Sequence, residues 1–71
     1  MSALTVFNPS RLTWARRRRG MTKTRLAAAV GVDLRSVSAY ETGEFSPDQE
    51  RLDEISHALK FPEGFFFGDD L

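Results

Sequence analysis

The chain has 71 residues, enough for one domain near the lower limit for a self-sufficient hydrophobic core. It contains no cysteine, which excludes disulfides and thiolate metal sites, and no apolar run nears the roughly 18 residues that span a bilayer. Its formal net charge is zero but divided: residues 1–40 hold eight basic residues and one acid, a net +7, and residues 41–71 hold two basic residues and nine acids, a net −7. One half can therefore form a positive face while the whole stays neutral, although a solvated dipole with no partner would show the same asymmetry.

The opening residues, Met1 to Phe7, lack a basic region and a long apolar stretch, so no signal peptide is expected and the cytoplasm is the default compartment. A first helix is expected over Pro9–Arg19. Asn8 caps it, Pro9 takes the position where a missing N–H costs little, and Gly20 stops it. Phe7 and Leu12 form a candidate hydrophobic staple, and Leu12, Ala15 and Arg16 share one face. The run Arg16 to Arg19 is spread by the helix around about 300°, so it is not a single basic patch. Arg16 falls on the core side and needs a carboxylate, for which Glu41 is the candidate. Arg17, Arg18 and Arg19 read as solvated surface that adds long-range field. Trp14 lies off the apolar stripe and is expected to pack against Phe65–Phe67, in the same molecule or across a dimer.

The stretch from Gly20 to Gly43 holds two short helix patterns, each opened by a capping residue and followed by glycine. Thr22 caps a helix over about Lys23–Val30, with Met21 and Leu26 as its staple and Leu26, Ala27 and Val30 inward. Asp33 caps a helix over about Leu34–Thr42, with Val32 and Val37 as its staple and Val37 and Tyr40 inward. Gly31 supplies the left-handed residue for a sharp turn between them. Two helices joined in this way describe a helix-turn-helix, which usually lays its second helix in the DNA major groove.

The outward face of that second helix reads Leu34, Arg35, Ser38, Ala39 and Thr42. Arg35 can fork onto guanine O6 and N7, Leu34 and Ala39 can touch thymine methyl groups, and Ser38 is adaptable; an ordinary solvated face is the alternative. Thr22 and Lys23 open the preceding helix, where free N–H groups and the positive dipole end suit a phosphate. Thr42, with Ser46 and Gln49, is a further candidate to hold the phosphate path.

A fourth helix is expected to open on Ser46-Pro47-Asp48-Gln49, with Ser46 as N-cap, Pro47 at its first position and Gln49 completing a capping box. Leu52, Ile55, Ala58 and Leu59 form its apolar stripe, and Pro62 ends it. A short fifth helix or turn, Pro62–Phe67, precedes the acidic Asp69-Asp70-Leu71, and no strand pattern is present. His57 is the single histidine and reads as a surface residue. Asp53 and Glu54 point to different sides of their helix. No nucleophile–base pair, glycine-rich phosphate loop or metal set is present, so neither catalysis nor a cofactor or metal is expected of this chain.

These residues resemble the lambda-repressor-like, Cro/C1-type (xenobiotic-response-element) helix-turn-helix family over about residues 8–60. The resemblance is carried by Arg11-Leu12, Arg16, Gly20-Met21-Thr22-Lys23, Leu26-Ala27, Val30-Gly31-Val32, Val37, Tyr40-Glu41-Thr42-Gly43 and Pro47. It implies an all-α, compact five-helix domain that binds double-stranded operator DNA, often as a homodimer on a palindromic site, and it implies the Arg16–Glu41 pair. Lys23 stands where the family often has glutamine, and Glu44 where it often has a basic residue. A narrower resemblance, in Phe7-Asn8-Pro9-Ser10-Arg11-Leu12 and Phe61-Pro62-Glu63-Gly64-Phe65-Phe66-Phe67, is to regulators that continue into an ImmA/IrrE-type zinc metallopeptidase domain; no peptidase motif lies within these residues. The function expected is a sequence-specific transcriptional regulator. The alternatives are a protein-interaction module such as an antitoxin, and the regulatory domain of a larger peptidase-fused protein.

Overall fold

The computed structural model describes residues 6–71; the rest of the opening segment, read above for a signal peptide, lies outside the described residues. Four α-helices follow one another as α1 (Pro9–Arg18), α2 (Lys23–Val30), α3 (Leu34–Thr42) and α4 (Gln49–Leu59), and a 3-10 turn spans Glu63–Phe66. The all-α class is as expected, but the fifth helix is that single turn. Pro62 holds an extended backbone before it and Phe67 an extended one after it, which leaves only four residues to coil. Among the described residues there is no strand, only an isolated antiparallel bridge between Phe7 and Phe67.

Each helix begins where a side-chain oxygen replaces a missing intrahelical acceptor. Asn8 accepts from the Ser10 N–H, Thr22 from Arg25 and Asp33 from Ser36. The start of α4 differs from the sequence expectation. Its cap is Asp48, which accepts from the Arg51 N–H at 2.9 Å, so Ser46 and Pro47 lie outside the helix. An acid at the cap satisfies an amide and faces the positive dipole end. Gln49 accordingly does not close a capping box; its Nε2 donates to Asp53 at 2.9 Å and to Glu63 at 3.0 Å. At the other end of α1 the helix stops at Arg18, one residue early, with Arg19 as its C-cap.

The helices bury the stripes their periodicity sets. Leu12 and Ala15 of α1 meet Leu26, Ala27 and Val30 of α2, Val37 and Tyr40 of α3, and Leu52, Ile55 and Leu59 of α4. α2 packs on both α3 and α4, and α1 packs on α3 and the 3-10 turn. Phe66 plugs the base of this core at 0% exposure and stacks on Phe7, their centroids 6.4 Å apart.

Trp14 does reach the C-terminal aromatics, in part as expected. Its ring lies 5.6 Å from Phe65 and 6.0 Å from Phe61, whereas Phe66 and Phe67 turn to Phe7 instead. Trp14 keeps 43% of its surface exposed. Arg19 is not merely solvated. Its guanidinium donates to the carbonyls of Leu59 at 2.6 Å and Lys60 at 3.0 Å and sits 4.4 Å over the Phe61 ring, so it caps the C-terminus of α4. Arg11 similarly clasps the chain end, donating to the carbonyls of Phe65 at 2.9 Å and Asp69 at 2.7 Å.

Candidate nucleic-acid interface

The turn between α2 and α3 depends on Gly31, whose φ of 84° is costly for a residue with a Cβ. The Val32 N–H then donates back to the Ala27 carbonyl at 3.0 Å, and Asp33 starts α3 at once. With α2 packed on α3, the first turn of α3 is left facing solvent.

Arg16 holds the other side of this unit. Its Nε and Nη2 donate to the two oxygens of Glu41 at 2.6 and 3.1 Å, and its Nη1 donates to the Met21 carbonyl at 2.9 Å. Thr13 adds a hydroxyl donor to Glu41 at 2.9 Å. The paired side chains are only 11% and 5% exposed. One guanidinium therefore binds the residue before Thr22 and the residue before Thr42, which brings the start of α2 and the end of α3 to one edge. The cost of burying two charges is offset by a bidentate geometry in which all three guanidinium nitrogens find acceptors.

Thr22 is exposed and Lys23 half-buried at that edge. The Lys23 and Thr24 N–H groups precede the first helical bond, from Leu26 to the Thr22 carbonyl, so they remain available to an anion. On α3, Arg35 is exposed, Leu34 is 47% exposed and Ser38 is half-buried, all on the first turn and a half. Thr42 is exposed, although its hydroxyl donates to the Ala39 carbonyl at 3.2 Å.

Ala39 is a correction: expected outward, it is 3% exposed. The chain after Gly43 doubles back, so that the Glu44 and Phe45 N–H groups both donate to the Ala39 carbonyl, at 3.0 and 3.3 Å. The same loop leaves Phe45 54% exposed next to α3, a large apolar side chain that sequence reading passed over. A lone Phe between two polar residues has no periodic signal that marks it. Ser46 and Gln49 are exposed, and Gln49 is engaged with carboxylates rather than free for a phosphate. His57 is exposed on α4, its Nδ1 2.9 Å from the Asp53 carbonyl.

The helix-turn-helix family description matches residues 12–66. The HTH-type transcriptional regulator y4wC of Sinorhizobium fredii is 38% identical over 61 residues, which cover 86% of this chain and 43% of that protein. A second from the same organism, y4aM, is 32% identical over 68 residues, covering 96% of this chain and 48% of that protein. The chain thus spans about half the length of these curated relatives. Among solved structures, the P22 c2 repressor in complex with a synthetic operator superposes with a TM-score of 0.83 at 26% identity, over 93% of this chain and 100% of that one. FeII HppE in complex with substrate matches at a TM-score of 0.77 and 28% identity, over 89% of this chain but 38% of that one. With the order of helices, the capped turn and the Arg16–Glu41 clasp all in place, the chain belongs to the Cro/C1-type helix-turn-helix family.

Proposed function

We propose that this chain is a sequence-specific DNA-binding transcriptional regulator that lays α3 in the major groove. The observation that carries this reading is the solvent-facing first turn of α3, with Leu34, Arg35 and Ser38 projecting from a helix that α2 and the Arg16 clasp hold rigid. Arg35 reads guanine by a bidentate fork, Leu34 packs on a thymine methyl, and Ser38 donates to a base edge or phosphate. Thr22, Lys23 and the first amides of α2 take one phosphate, and Thr42 the next. Ala39 has no place in this set because it is buried. The regulators and the operator-bound repressor that the chain resembles support the same reading.

The protein in this reading binds rather than catalyses, works in the cytoplasm where its operator lies, and pairs as a homodimer when two copies occupy the halves of a palindromic site. Among the described residues no helix is long and apolar enough to cross a membrane. Selection of an operator from a random duplex library, followed by Arg35→Ala, tests the proposal. The expected loss is about 1–3 kcal/mol on the selected site and far less on random duplex at one fixed salt concentration. An equal fall on both would leave Arg35 on phosphate alone, and the absence of any salt-dependent DNA binding would sink the reading.

A second reading makes this the DNA-binding domain of a longer regulator, with an ImmA/IrrE-type peptidase as the remainder. The greater length of the relatives supports a longer regulator, and the peptidase itself rests on the resemblance of the Phe7–Leu12 and Phe61–Phe67 segments. Reading the gene beyond Leu71 for a His-Glu-x-x-His helix decides it.

A further inference from the structure

Two open grooves lie on α1 and on α4, and their charges are opposite. The first, of about 470 Å3, is lined by Ser10, Thr13, Trp14, Arg17 and Arg18. Trp14 is half-exposed yet fixed, because Phe61 and Phe65 hold its other face. An aromatic already held in place loses little freedom when a partner covers it. Arg17 and Arg18 are exposed, and among the described residues neither guanidinium has a hydrogen-bond or ion-pair partner.

The second groove, of about 500 Å3, lies between α2 and α4. Its apolar part is two small side chains, Ala29 and Ala58, and around them stand Glu50, Asp53, Glu54 and His57. Glu50 and Glu54 share a single cation, Arg51, at 3.7 and 3.1 Å, so negative charge is left over at this groove.

We propose that the two grooves dock on each other between copies of this chain, head to tail. Trp14 of one copy seats over Ala29 and Ala58 of the next, and its Arg17 and Arg18 face Glu50, Asp53 and Glu54. Charge complementarity selects a second copy as the occupant. The chain as a whole is neutral, so no long-range repulsion opposes the encounter. Pairing like with like is disfavoured, because it would set arginines against arginines or carboxylates against carboxylates. The contact joins two different surfaces, so it can repeat from copy to copy. No residue of α3 lines either groove, which leaves the proposed base-reading face open in every copy. This inference does not depend on that face binding DNA.

Sedimentation of the full 71-residue chain at low and high salt tests the proposal. The average mass should rise with concentration at low salt and return to that of the monomer at high salt. Arg17→Glu with Arg18→Glu, and separately Asp53→Lys with Glu54→Lys, should each weaken association by about tenfold or more. An equal mixture of the two variants should recover it, since opposite charges then face each other again. Helical circular dichroism checks that both variants fold. Trp14 emission gives an independent reading in the unaltered chain, and it should shift to shorter wavelength as association proceeds. The proposal is overturned if the chain stays monomeric at low salt, if either folded variant associates like the parent, or if the mixture fails to recover. It is equally overturned if mass rises while Trp14 emission stays constant. Should Arg17→Glu with Arg18→Glu lower DNA affinity but leave self-association intact, the first groove takes phosphate and not a second copy.

Discussion

Arg16 shows how much a single residue can organise. Its three nitrogens tie α1 to the end of α3 and to the carbonyl just before α2, in a setting where few water molecules reach. Removing one partner of such a pair leaves the other charge buried and alone. Glu41→Ala is therefore expected to cost about 3–5 kcal/mol in urea unfolding, and a loss within about 0.5 kcal/mol would show that the pair behaves as a surface contact. The pair was legible in the sequence because the Leu12–Ala15 stripe carries Arg16 inward, where it needs a carboxylate, and the family resemblance implies Glu41. The work of Arg11 and Arg19 was not legible. Their acceptors are backbone carbonyls of the C-terminal segment, and a carbonyl leaves no trace in the side-chain pattern.

At the scale of elements, caps set where the helices begin, and the caps can be tested singly. Asp48→Ala should destabilise the protein by about 1 kcal/mol, whereas Ser46→Ala should stay within about 0.5 kcal/mol. Thermal unfolding of the two variants decides between the observed start of α4 and one at Ser46. Asp33 offers a test by pH. Its carboxyl is held below the ordinary value, chiefly because it accepts the Ser36 backbone N–H at the start of α3. A carboxyl lowered in this way adds stability that is fully present above its unfolded pKa and is lost as pH falls through the folded value. Asp33→Asn keeps the cap but not the titration. Melting temperatures of parent and variant should nearly agree at neutral pH, and the acid limb of the variant should be shallower. Equal acid limbs would mean that the cap does not discriminate between ionised and neutral Asp33. The boundaries of α2 and α3 were readable because each has a capping residue, a staple and a glycine that agree. α4 carries a capping-box pattern that starts on Ser46, yet the helix starts on Asp48, so its boundary was not readable from the cap pattern alone.

For the molecule as a whole, the C-terminal segment completes the core. Phe66 is fully buried, the Asn8 N–H donates to its carbonyl at 2.7 Å, and Phe7 pairs with Phe67. The first and last described turns are thus fastened together, which a domain this small needs. Phe66→Ala should cost about 3–5 kcal/mol. A chain shortened after Phe61 should lose stability as well and show Trp14 emission at longer wavelength, because Phe65 no longer covers the indole. Unchanged emission and unchanged unfolding would together show that the segment is dispensable.

What the sequence alone determined is what short-range chemistry encodes: the caps of α1, α2 and α3, the glycine turn between α2 and α3, the inward stripes, and from these the family. The tertiary structure decided which of the face-lining positions stay open to solvent. Helical phase puts Ala39 beside Ser38, yet Ala39 is buried and Ser38 only half-buried. It also decided that Trp14 packs against the stacked pair Phe61 and Phe65 and not on the whole aromatic run. Successive residues of a 3-10 turn point in different directions, so Phe65 goes to α1's outer side while Phe66 enters the core. Such outcomes depend on where distant segments cross, and periodicity within one segment carries no record of that.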